Sequence, residues 1–97
     1  MYKSNTTVIQ NSDFILEKEE NSGGVLINES TGMIHILNKL ALMIYEKCDG
    51  TYLEAIRNDY VEEILSVYKD VTRAVVESDF DEIINNMVEK DVVRIIE

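Results

Sequence analysis

Few side chains in this sequence have chemistry beyond folding, and their spacing decides what each can do. There is one histidine, His35, and one cysteine, Cys48. A nucleophilic Cys48 needs a base beside it and a thiolate held below the ordinary thiol range. Only His35 could be that base, and no spacing brings the two together. Cys48 reads instead as a small buried hydrophobe at the end of a helix. One histidine and one cysteine also lack the ligand spacing of a metal site. The third group is the acidic run Asp79-Phe80-Asp81-Glu82. It lacks the glycine and the ligand order of a calcium loop. A solvated helix face is its default reading. No catalytic, cofactor or metal constellation emerges, and none is expected.

Charge narrows the partners. Nine basic residues stand against nineteen acidic ones, for a net charge of −10 and a pI near 4.4. A nucleic-acid binder needs clustered Lys and Arg against the phosphates, and no basic run exists. An anionic membrane surface is disfavoured for the same reason. A cationic peptide or the basic face of another protein fits better. The single cysteine excludes an intrachain disulfide and suits a reducing compartment. The first residues lack the apolar core of a signal peptide, and no apolar run reaches membrane-spanning length. The expected location is cytoplasmic.

With 97 residues the chain suits one domain over 1–97. Residues 1–7 are polar and expected to fray. Val8-Ile9-Gln10 and Phe14-Ile15-Leu16-Glu17 read as extended, with a kink at Asn11-Ser12-Asp13. Val25-Leu26-Ile27 suits a buried central strand. After the turn Asn28 to Gly32, Met33 to Leu37 reads as a third strand at a sheet edge. Such an edge can capture an extended peptide. If Ile34 and Ile36 face the core, alternation turns Met33 and His35 to the other side. His35 is then a peptide contact or, more simply, a polar residue on a half-exposed strand.

Asn38 is an N-cap for a helix that ends at Asp49-Gly50. Thr51 then caps a second helix running to about Tyr68, with Glu54 as a capping-box partner and a break allowed near Asn58-Asp59. A third helix covers roughly Arg73 to Lys90. Val76, Phe80, Ile83, Ile84, Met87 and Val88 give it an apolar face. Val92 to Ile96 reads as a terminal strand or tail. The order predicts an α+β domain of winged helix-turn-helix type, with a three-stranded antiparallel sheet followed by three helices.

The run Val25-Leu26-Ile27-Asn28, Thr31-Gly32, Ile34-His35-Ile36-Leu37-Asn38, Ile44 and Cys48-Asp49-Gly50 resembles the PqqD-like proteins. These are recognition elements for ribosomally made, post-translationally modified peptides. Glu54-Ala55-Ile56, Tyr68, Val75 to Phe80 and Ile83-Ile84 fit the same pattern, so the likeness spans about residues 8–96. One departure is Lys90-Asp91, where the family usually has a glycine. The resemblance implies a protein without catalytic residues. Such a protein holds the leader of a precursor peptide and presents it to a tailoring enzyme, such as a radical S-adenosylmethionine enzyme or a leader protease. It further implies that the leader pairs along the third strand and enters a groove against the third helix. Carried onto this chain, the site is Met33, Ile34, His35, Ile36, Leu37, Val76, Phe80, Ile83, Ile84 and Met87.

Sequence alone does not divide the third-helix residues between groove and core. Glu77, Asp81 and their neighbours could form an acidic rim for Lys or Arg of a leader. An open edge also permits a homodimer. The rival reading is a small winged-helix transcription regulator. It suffers from a second helix whose single basic residue is Arg57.

Overall fold

The computed structural model describes residues 5–97. Six strands and three helices follow one another: β1 (Thr7–Gln10), β2 (Phe14–Glu19), β3 (Gly23–Asn28), β4 (Ile34–Leu37), α1 (Lys39–Lys47), β5 (Asp49–Tyr52), α2 (Leu53–Val67), α3 (Arg73–Glu89) and β6 (Val93–Ile96). The strands form two antiparallel three-stranded sheets, β2-β3-β4 and β5-β1-β6. The expected meander of three sheet strands is thus β2-β3-β4. The segment at Val8 belongs to the second sheet, which the sequence did not announce.

The division between sheets is held at Asn11. Its side-chain amide donates to the Asp91 carbonyl at 2.8 Å, and its Oδ1 accepts from Asp13 N at 3.0 Å. Its backbone N–H donates to the Val92 carbonyl at 3.0 Å. A buried polar side chain with its bonds satisfied fixes a bend without the penalty of an orphan group. The chain therefore leaves β1 against β6 and starts β2 in a new sheet. Ordered structure also begins earlier than composition suggests. Residues 1–4 of the segment expected to fray lie outside the described residues, but Thr6 is buried and Thr7 opens β1.

The helices start and stop where short-range chemistry dictates. Asn38 Oδ1 accepts from Ala41 N at 2.8 Å and caps α1. Thr72, just before the expected start of the third helix, caps α3 through Val75 N. Asp91 takes φ 59° and ends α3 with no glycine there, Asp being one of the few residues that tolerates this region. Thr51 is a correction. It lies in β5, and Tyr52 precedes α2 without a side-chain cap. The Asp49-Gly50-Thr51 turn is thus an edge strand paired with β1, and α2 runs unbroken through Asn58-Asp59.

One core joins all the layers. Leu26 and Leu37 come from the first sheet, Val8 and Val93 from the second. Ile44, Tyr60, Val61, Val76, Phe80 and Ile84 come from the helices. The Tyr60 and Phe80 rings lie 5.7 Å apart at a tilt. Each such aliphatic or aromatic residue contributes about 1.5–3 kcal/mol on burial.

Gly23 shows how tightly this frame constrains the backbone. It has φ +114°, and a Cβ there would meet the Leu37 carbonyl oxygen at 2.1 Å. Both the conformation and the contact forbid a side chain. Gly23→Ala is expected to lower stability by about 2–4 kcal/mol, read as a shifted urea midpoint. A midpoint equal to wild type overturns this account of the β3–β4 join.

Candidate functional site

β4 borders β3 on one side and no described strand on the other. Its register on β3 pairs Ile34 with Ile27, His35 with Leu26, Ile36 with Val25 and Leu37 with Gly24. Asn28 N donates to the Met33 carbonyl at 2.9 Å, so that pair is a hydrogen-bonded one. Antiparallel ladders alternate. His35 and Leu37 therefore turn their N–H and C=O toward β3, and Ile34 and Ile36 turn theirs to the open edge. The side chains of Ile34 and Ile36 are 61% and 83% exposed.

This reverses the expected facing of the strand. Ile34 and Ile36 point away from the core, and His35 points toward it. The His35 ring packs against Phe14 at 5.5 Å, and its buried Nε2 has no hydrogen-bond partner. Across the sheet, Ile15, Ile27 and Ile34 align in one outward row, and Glu17, Val25 and Ile36 form the next. The outer face is thus aliphatic along β3 and β4, with Glu17 on β2 beside it.

Beside the edge, β4, the start of α1 and one flank of α3 enclose an open cleft of about 220 Å³. It is lined by Ile36, Leu37, Asn38, Ala41, Glu82, Ile83, Asn86 and Met87. Small-molecule pockets usually measure ~300–1,000 Å³. This cleft has room for a side chain or two.

Four of the ten residues named from the sequence, Ile36, Leu37, Ile83 and Met87, meet at this cleft. Met33 and Ile34 lie exposed along the same strand. His35 faces the interior. Val76, Phe80 and Ile84 are 1–3% exposed and belong to the core against α2 and the sheet. Asn38, Ala41, Glu82 and Asn86 were not foreseen as cleft residues. Helical spacing offered a signal for two of them. Glu82 and Asn86 are four apart, beside Ile83 and Met87, also four apart.

The acidic rim is also redistributed. Arg57 on α2 forms a two-pronged pair with Asp81, both contacts at 2.9 Å. It reaches Glu77 at 3.5 Å, and Arg73 reaches Glu77 at 3.4 Å. Asp81 and the neighbouring carboxylates raise the Arg57 pKa still further. Glu77 and Asp81 therefore clamp α3 to α2 rather than await a ligand. A second opening, about 390 Å³, lies by Glu46, Lys47, Asp49 and Asp59. Lys47 is already engaged there by Asp59 at 2.8 Å and Glu63 at 3.1 Å.

An open strand edge thus lies beside a shallow cleft of mixed apolar and polar lining. The model of one family, coenzyme PQQ synthesis protein D, matches residues 23–93. The chain belongs to that PqqD family. Among solved structures it is similar to a lasso peptide synthetase B1 complexed with the leader peptide. The TM-score is 0.73 at 20% identity, covering 90% of this chain and 96% of that one. It is also similar to TbiB1 in complex with the TbiA(β) leader peptide, with TM-score 0.70 at 18% identity, covering 89% and 94%. The heterocyclase TruD matches with TM-score 0.61 at 22% identity, over 94% of this chain and 12% of its own. These likenesses establish the α+β fold. No curated protein sequence matches the chain.

Cys48 sits in the core, with Sγ donating to the Ile44 carbonyl at 3.2 Å. Burial, aided by Asp49, pushes its thiol pKa up to about 12 from 9.0. The unfolded chain thus releases this proton near pH 9 while the native state keeps it. Its stabilising effect is complete below pH 9 and is lost as pH rises toward 12. Burial pushes Tyr45 and Tyr60 upward as well, so they add to the same loss. Thermal melts are expected to fall steadily across that window, less steeply in Cys48→Ala. A thiol-specific chromogenic reagent at pH 8 should label the folded protein at the rate of global opening. Rapid labelling contradicts the buried position.

Proposed function

We propose that the chain is a single, non-catalytic peptide-binding domain. It captures the leader segment of a ribosomal precursor peptide by adding it as a strand along β4. The observation that carries this reading is the open β4 edge. There the outward backbone of Ile34 and Ile36 stands beside the cleft of Ile36, Leu37, Ile83 and Met87. Backbone pairing supplies affinity, and the cleft selects side chains. Membership of the PqqD family supports the reading, as does likeness to proteins solved with leader peptides. Ordering a flexible leader costs on the order of 2–5 kcal/mol, so the edge and the cleft must act together.

The domain presents the held peptide to a separate tailoring enzyme, such as a radical S-adenosylmethionine enzyme or a leader protease. The likeness to a segment of a heterocyclase supports such a pairing, since there the same fold is one part of a larger chain. No helix among the described residues is long and apolar enough to cross a membrane. A cytoplasmic site of action fits the single cysteine. The α1-β5-α2 unit is read as the helix-turn-helix of a winged fold, turned to peptide rather than DNA. Arg57, the one basic residue of α2, is engaged by acids of α3. This weighs against the regulator reading. A homodimer formed through β4 competes with peptide for the same edge.

Ile36→Pro is the discriminating variant. It removes an outward N–H and leaves the β3 ladder intact, whereas His35→Pro breaks a ladder bond. The labelled protein is titrated with the leader of a precursor encoded beside it and followed by amide NMR. Wild type should shift along 33–37 and the 82–87 flank of α3. Ile36→Pro should stay folded and bind at least about tenfold more weakly. Equal binding by the folded variant sinks strand addition.

A further inference from the structure

Arg57 and Arg73 consume the two acids on the α2-facing stripe of α3, Glu77 and Asp81. Glu82 lies one residue on, roughly 100° around the helix, and lines the β4–α3 cleft. It makes no ion pair or hydrogen bond with any described residue. Every other cleft residue is apolar or a neutral amide: Ile36, Leu37, Ala41, Ile83 and Met87, with Asn38 and Asn86. Among the described residues the cleft therefore contains one formal charge, negative and unpaired, beside the apolar side chains of Ile36, Leu37, Ala41, Ile83 and Met87.

We propose that Glu82 sets the charge preference of this cleft. The chain selects a peptide with a Lys or Arg close to the apolar side chain that fills the space between Ile83 and Met87. This rests on the reading of β4 as a peptide-capturing edge. An added strand sends alternate side chains to one side, about 6.6 Å apart. Two such positions span the cleft. One delivers an aliphatic or aromatic group and the other a cation. The stem of a Lys or Arg also suits the exposed Ile36, since its methylenes lie on apolar surface while its head reaches the carboxylate. An acidic peptide residue at that position meets Glu82 and the −10 field of the chain together. Glu82 is exposed and bonded to no described residue, so its replacement spares the fold.

The test uses a display library of random twelve-residue linear peptides, selected against wild type, Glu82→Gln, Glu82→Lys and Ile36→Pro. Wild type is expected to enrich peptides with a Lys or Arg two positions from a large apolar residue. Glu82→Gln should bind the best of them about three- to tenfold more weakly at low salt. The difference should shrink at 0.5 M salt, where the Debye length falls to a few ångströms. Glu82→Lys should enrich Asp or Glu at the same position. Suppose wild type enriches peptides that Ile36→Pro loses, but with no cation, or with the same cation preference in Glu82→Lys. The role of Glu82 is then overturned and strand capture stands. Suppose instead that no peptide is enriched, or that Ile36→Pro enriches the same set. Then strand capture fails, and this inference with it.

Discussion

The register of β4 on β3 is the constraint from which the site follows. Side chains alternate with period two, so a slip of one residue exchanges the faces of the whole strand. The register is set by the turn between the strands. Gly32 takes φ +76°, and its N–H donates to the Asn28 carbonyl at 2.7 Å. Asn28 Oδ1 accepts from Ser30 N and Thr31 N, and Asn28 N closes on the Met33 carbonyl. The asparagine thus organises both sides of the loop. From that closure, parity sends Leu37 into the core and Ile36 outward. It also decides which backbone groups remain at the edge.

α3 supplies the opposite wall, and its position is fixed from behind. Val76, Phe80 and Ile84 pack into the core, while Arg57 bridges from α2 to Asp81 and Glu77. Isolated exposed ion pairs contribute little, but this one is two-pronged and half-buried. The consequence is geometric. With one stripe in the core and the next clamped to α2, only the flank of Glu82, Ile83 and Asn86 is left toward β4. The cleft stays open because α3 is held elsewhere.

Much of this was legible in the sequence. Turn residues and caps marked the β3–β4 hairpin and the start of α1, and apolar periodicity marked α3. The second sheet was not legible. β1, β5 and β6 have four residues each, and their pairing joins the two ends of the chain. Only Asn11 and Thr6, polar yet buried, hint at it, and burial is not visible in a sequence. The facing of β4 was misread for a different reason. Alternation reports which residues share a face but not which face is inside. Ile-His-Ile-Leu has its more apolar pair, Ile34 and Ile36, in the solvent. That is an error for a structural strand and a signature for a docking one. On α3, the apolar stripe was visible but its division was not. That division depends on where Arg57 reaches, which is a tertiary fact.

An open edge with exposed aliphatic side chains is a hazard as well as a tool, because it offers any extended chain a template. Natural sheets often guard such edges with lysine. Here β4 carries no charge at all. The charge is carried instead by the molecule as a whole, with nineteen acids against nine bases. A second copy approaching the edge carries the same −10 field and is repelled, whereas a cationic segment is drawn in. The electrostatics therefore do two jobs with one composition. They oppose pairing of the bare edge with itself, and they favour a partner of opposite charge. On the proposed function, affinity for that partner need not be high, because a peptide handed on to another protein must also leave. A shallow cleft and a four-residue edge suit that balance better than a deep enclosed pocket.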